Sequence, residues 1–129
     1  MNIILAGLIA ALSAMVLNRY LVEETGNEVI IYLVPFIEET LKSFSAYFLR
    51  ANLFLVHLFF GIIEAIYDIY SAEDHGLFAG LSSILDHAIF GYLTWSVYLQ
   101  TNGILIGVLV ATVFHTLWNY MILTRIGRN

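Results

Sequence analysis

The chain has 129 residues, of which 60% are hydrophobic and only 12% charged, too apolar for a soluble domain and suited to a single membrane domain over 1–129. It contains no cysteine, which excludes disulfides, thiolate metal ligands and a cysteine nucleophile. A formal net charge of −5 argues against nucleic acid as a partner, and about half of the acids lie inside apolar runs rather than on an acidic surface.

In chain order, the first apolar run covers about 3–17 and is followed by a polar hinge, 18–28. No basic residue precedes its apolar core and no clear cleavage signal ends it, so it reads as an anchor helix rather than a signal peptide. Further runs cover about 29–49, 52–70, 77–99 and 104–123, each close to the roughly 20 residues that one bilayer crossing needs. The connectors 50–51, 71–76 and 100–103 are short enough to force antiparallel neighbours. The expected fold is therefore all-α: a polytopic membrane protein with a bundle of about five transmembrane helices around a polar intramembrane cavity. The catalytic core would span about 29–123. Arg19, Arg125 and Arg128 fall on one side of such a bundle and Arg50 on the other, which favours a cytoplasmic carboxyl terminus.

Polar residues deep in these runs carry the functional signal. Glu38, Glu39, Glu64, Asp68, His87 and His115 stand among residues as apolar as a lipid tail. A carboxylate at a bilayer centre costs at least about 2.5 kcal/mol, so such acids face a bundle interior and mark a working site. Counted from the Arg-rich side at about 1.5 Å per residue, Glu38, Glu39, His87 and His115 lie roughly 12 to 15 Å deep and Glu64 roughly 9 Å. Different helices thus bring polar groups to nearly one plane.

Spacing adds chemistry. Lys42 follows Glu38 by four residues and Glu39 by three, so it can neutralise one of them. The first assignment pairs Glu38 with Lys42 and leaves Glu39 as general base for a water, while helical spacing admits the reverse pairing as well. Pro35 strips the Ile31 carbonyl of its helical partner, so the second helix should kink or begin near the acids. His115 and Asn119 share one helical face and can donate to an oxyanion, while Glu64 and His87 orient the water or share its proton. The same residues permit a metal site that activates a water, with His87, His115 and Glu64 holding one divalent metal such as zinc. Asp86 reads as an orienting partner of His87, Asp68 as interfacial, and His57 and His75 as structural or solvent-facing.

Four motifs occur in order on successive helices: EExxK at Glu38 to Lys42, FxxxE at Phe60 to Glu64, HxxxG at His87 to Gly91, and HxxxN at His115 to Asn119. Together they resemble the PrsW family of intramembrane proteases, itself related to the CAAX prenyl endopeptidase and bacteriocin-processing group. The chain is shorter than is common in that family, so the resemblance implies a minimal core. It also implies a multi-pass protein of the cell membrane with endopeptidase action on a membrane-embedded or membrane-adjacent peptide, the family's named member acting on an anti-sigma factor. The competing readings are a proton or divalent-cation transporter, which should show repeated halves, and a non-catalytic immunity or scaffold member.

Overall fold

The computed structural model describes residues 2–71 and 75–126, with side chains as far as Thr124. The connector residues Ala72, Glu73 and Asp74, Arg128, and the Arg125 side chain lie outside the described residues. Five helices follow one another: α1 (Asn2–Thr25), α2 (Val29–Phe48), α3 (Leu53–Ser71), α4 (Gly76–Thr101) and α5 (Ile104–Ile126).

The largest departure from the expected boundaries is in α1. It continues to Thr25 through the segment expected to be a hinge. Polarity alone does not stop a helix, and nothing before Gly26 does so sterically. Arg19 and Glu23 pair at 2.8 Å across one turn, and Thr25 Oγ1 donates to the Leu21 carbonyl. Gly26, at φ 86°, then ends the helix in the left-handed conformation that glycine accepts without strain. At the start of α3, the Asn52 side chain accepts the Leu55 N–H at 3.0 Å and so fixes the helix end.

Round the bundle the helices stand in the order α1, α2, α5, α4, α3, with α2 also touching α3 across the ring. The α3–α4 pair is the most intimate. A Cβ on Gly61 would lie 2.8 Å from His87 Cβ, and one on Gly91 would lie 2.5 Å from His57 Cβ. Each glycine therefore makes room for a histidine of the opposite helix, which lets the backbones approach closely.

Burial is inverted relative to a water-soluble protein. The largest fully buried side chains include Lys42, His57, His87 and Glu39, while Val16, Leu77 and Phe48 are more than two-thirds exposed. Four helices, α1, α3, α4 and α5, are long and apolar enough to cross a membrane, and they mark the chain as a membrane protein. The fifth, α2, carries Glu38, Glu39 and Lys42, all buried among its neighbours.

Candidate functional site

The site is built outward from α2. This helix runs from Val29 through Pro35 without a break and does not begin at the acids. Because consecutive helical residues point about 100° apart, Glu38 and Glu39 face different surroundings. Glu39 turns inward and is fully buried. Its Oε1 accepts Lys42 Nζ at 2.6 Å and His115 Nδ1 at 3.1 Å, and its Oε2 lies 3.4 Å from His57 Nδ1. Glu38 turns toward a cavity. Its Oε1 accepts Asn18 Nδ2 at 2.7 Å, while its Oε2 stays 3.9 Å from both Lys42 Nζ and His115 Nε2. The expected pairing of Glu38 with Lys42 is thus reversed: Lys42 belongs to Glu39, the residue three positions before it.

Hydrogen-bond chemistry fixes the imidazoles. Lys42 Nζ lies 2.9 Å from His87 Nδ1 and, as an ammonium, has only hydrogens to offer. His87 Nδ1 therefore accepts, Nε2 carries the proton, and that N–H donates to Glu64 Oε2. His115 is set the other way. Its Nδ1–H donates to the Glu39 carboxylate, so Nε2 points toward Glu38 and donates only when both ring nitrogens are protonated. Phe90 stacks on His115 with centroids 4.7 Å apart, and Phe60 meets His87 edge-on at 5.0 Å, which holds both rings. Asn119 spends one amide hydrogen on the Ile30 carbonyl at 3.0 Å, tying the latter half of α5 to the start of α2. Its second hydrogen is left for another acceptor.

These groups form two layers. Glu39, Lys42, His57, Ser43 and His87 are packed away, each at most 1% exposed. In front of them lies a cavity of about 830 Å³ to which every helix contributes, and Glu38, Glu64, His115 and Asn119 line it. Apolar side chains such as Ala14, Val34, Phe60 and Ile63 form much of the remaining wall. The cavity runs toward the end of the bundle that carries Arg19, Glu23 and His75. His57 lies entirely in the rear layer, with Nε2 3.2 Å from Ser43 Oγ. Asp68 is not merely interfacial: it accepts the Ser83 hydroxyl at 2.6 Å and lines the cavity. Asp86 does not orient His87 through a hydrogen bond, since its Oδ1 is 3.9 Å from Nε2.

Asn18 is the contact missed from sequence. It hides in the polar stretch read as a hinge, yet it continues the stripe of small residues Gly7, Ala11 and Ala14, which helical spacing aligns on one face. Following that stripe one turn past Ala14 places Asn18 toward the bundle. It also makes α1 part of the site, since Ala11, Ala14 and Asn18 all line the cavity.

The donor set for a metal differs from the expected one. Among the described residues the group that converges is Glu38, Glu64 and His87, with ligand atoms within 4.8 Å of one another; His115 is not a member. His87 does not suit the role. To ligate through Nε2 as a neutral imidazole it must carry its proton on Nδ1, where Lys42 Nζ already presents hydrogens at 2.9 Å. The residues present therefore do not fit a His87, His115 and Glu64 metal centre.

No family model, curated protein or solved structure matches the chain.

Proposed function

We propose that this chain is an intramembrane endopeptidase of PrsW type, multi-pass in the cell membrane with all five helices crossing it, in which Glu38 activates a water. The observation that carries this reading is the unequal state of the two adjacent glutamates. Glu39 has its Oε1 occupied by Lys42 and His115, whereas Glu38 faces the cavity with Oε2 more than 3.5 Å from those groups. A general base needs a free lone pair within reach of the proton it takes, and Glu38 has one. The base in this reading is Glu38, the alternative that helical spacing left open beside the first-assigned Glu39.

The chemistry follows from the groups that line the cavity. Glu38 takes a proton from a water, the water oxygen bonds to the scissile carbonyl carbon, and the C–N bond then breaks as Glu38 returns the proton to the departing amine. Glu64, held by the His87 N–H, accepts the water's other hydrogen and aims its lone pair. The free hydrogen of Asn119, with His115 Nε2 when protonated, meets the developing oxyanion. Lys42 and Glu39 stay behind as a fixed ion pair that holds both imidazoles. No step requires a metal. The substrate class is a transmembrane or membrane-adjacent peptide, whose backbone becomes reachable where its helix unwinds in the cavity.

The test is direct. Purified protein in detergent or nanodiscs is incubated with transmembrane peptides and the products are read by mass spectrometry. Wild-type protein cleaves, a chelator leaves the rate unchanged, and Glu38→Gln abolishes cleavage while leaving the thermal unfolding midpoint in place. Full cleavage by Glu38→Gln moves the base elsewhere. Absence of cleavage together with selective ion flux in liposomes overturns the protease in favour of a transporter.

A further inference from the structure

Beyond Glu38 and Glu64, the cavity holds a second pair of acids that the proposed chemistry does not use. Asp86 stands on α4 one residue before His87, is 7% exposed and lines the cavity. Its Oδ1 has no hydrogen-bond donor among the described residues. The nearby imidazole nitrogen gives its proton to Glu64, and the Lys42 ammonium is held by Glu39 and His87. Asp68, one turn after Glu64 on α3, lines the same cavity and is joined to α4 through Ser83. A buried carboxylate oxygen without a donor is costly to keep, and a partner supplied from outside the chain relieves that cost.

The charge of the wall says what that partner is. Glu23, Glu38, Glu64, Asp68 and Asp86 line the cavity, against Arg19 as the one Lys or Arg among the described lining residues. Arg19 is already paired with Glu23. The unpaired remainder is acidic, so the field inside favours a cation and disfavours an anion. Lysine and arginine also have the right shape, because their aliphatic stems can lie along Phe60 and Ile63 while the charged head reaches Asp86.

We infer that Asp86, assisted by Asp68, is a specificity subsite for a lysine or arginine side chain of the peptide that enters the cavity. This inference rests on the peptide-cleaving reading of the same site. It narrows the substrates to membrane peptides with a basic residue near the cleaved bond, a feature common where a transmembrane helix meets the cytoplasmic surface.

The experiment uses full-length protein in nanodiscs and three otherwise identical transmembrane peptides carrying lysine, norleucine or glutamate at one central position. Binding is measured by calorimetry and cleavage by mass spectrometry on the same samples. The lysine peptide binds about ten- to a hundredfold more tightly than the norleucine peptide, the range expected for a charge-assisted hydrogen bond, and the glutamate peptide binds weakest. Asp86→Asn removes the lysine preference and leaves norleucine binding unchanged; Asp68→Asn reduces the preference without abolishing it. Equal binding of lysine and norleucine peptides by wild-type protein overturns the subsite, and this reading needs no variant to fold. Loss of binding to all peptides alike in Asp86→Asn also overturns it, because that marks a structural role. A lysine preference in binding with no cleavage of any peptide keeps the subsite and defeats the protease reading. Cleavage without a lysine preference does the reverse.

Discussion

The layer around Glu39 and the layer around Glu38 begin at adjacent residues of one helix but differ in whether they are sealed behind the cavity or open onto it. Behind the cavity, Lys42 bridges Glu39 and His87, His115 adds its Nδ1–H, and His57 and Ser43 close the group. In front, Glu38 keeps one oxygen free, Asn119 keeps one hydrogen free, and Asp86 keeps an oxygen with no donor. A polar cluster tied by a buried ion pair in a low-dielectric interior is rigid, even though Glu39 Oε2 and His57 Nδ1, 3.4 Å apart, lack a hydrogen-bond partner among the described residues. A layer that opens onto the cavity and is held against that cluster is positioned but still able to react. The rear layer thus acts as the frame of the front one, and the division is made by the 100° step between two consecutive glutamates.

The most severe way to break this comparison is to remove the cation that holds the frame. Lys42→Met leaves Glu39 buried without its ammonium and deprives His87 Nδ1 of its donor, and breaking a buried pair on one side costs about 3 to 5 kcal/mol. Unfolding in detergent, followed by tryptophan fluorescence, should show a loss of that size, whereas Glu38→Gln should stay within about 1 kcal/mol of wild type. Similar losses in both variants would mean that the two layers are energetically one.

Much of the frame is legible in the sequence because periodicity and cost are legible. The apolar runs locate five helices, and the expense of burying acids and histidines brings Glu38, Glu39, Glu64, His87 and His115 to one place, where the structure has them. The residue that Lys42 neutralises is not legible, since positions three and four residues away are both within its reach and only the rotation of α2 against α5 decides. The expected donor set of His87, His115 and Glu64 differs from the converging set of Glu38, Glu64 and His87 for a related reason. Composition counts two histidines and a carboxylate, but the hydrogen already aimed at His87 Nδ1 by Lys42 belongs to no motif. Asn18 is obscured by its polar neighbours, because the end of an apolar run is not the end of the helix, which continues to Thr25.

A sharper probe of the front layer is Asn119. Its amide ties α5 to Ile30 and has one hydrogen left for substrate, so two roles must be separated. Losing an oxyanion donor lowers kcat by about a hundredfold with little change in KM, because that bond strengthens in the transition state. Losing only the helix tie lowers stability by about 1 kcal/mol and leaves kcat alone. Steady-state kinetics and unfolding of Asn119→Ala, measured together, should give the first pattern. The second would leave His115 as the sole oxyanion donor.

The smallest expected effect concerns Asn18, and it tests where α1 belongs. The amide donates to Glu38 Oε1 at 2.7 Å and leaves Oε2 turned toward the cavity. Without it the carboxylate can rotate toward Lys42, whose Nζ is 3.9 Å from Oε2, and a base that swings toward a cation is poorly placed to take a proton. A hydrogen bond to a charged group contributes about 1.5 kcal/mol or somewhat more, so Asn18→Ala should lower kcat about tenfold, with KM nearly constant. Asn18→Gln, which keeps the amide on a longer arm, should recover part of the loss. If Asn18→Ala instead destabilises the bundle as much as Lys42→Met while the surviving fraction turns over normally, α1 is part of the frame. A tenfold loss of kcat in a chain of unaltered stability places Asn18 in the front layer, as the residue that aims the base.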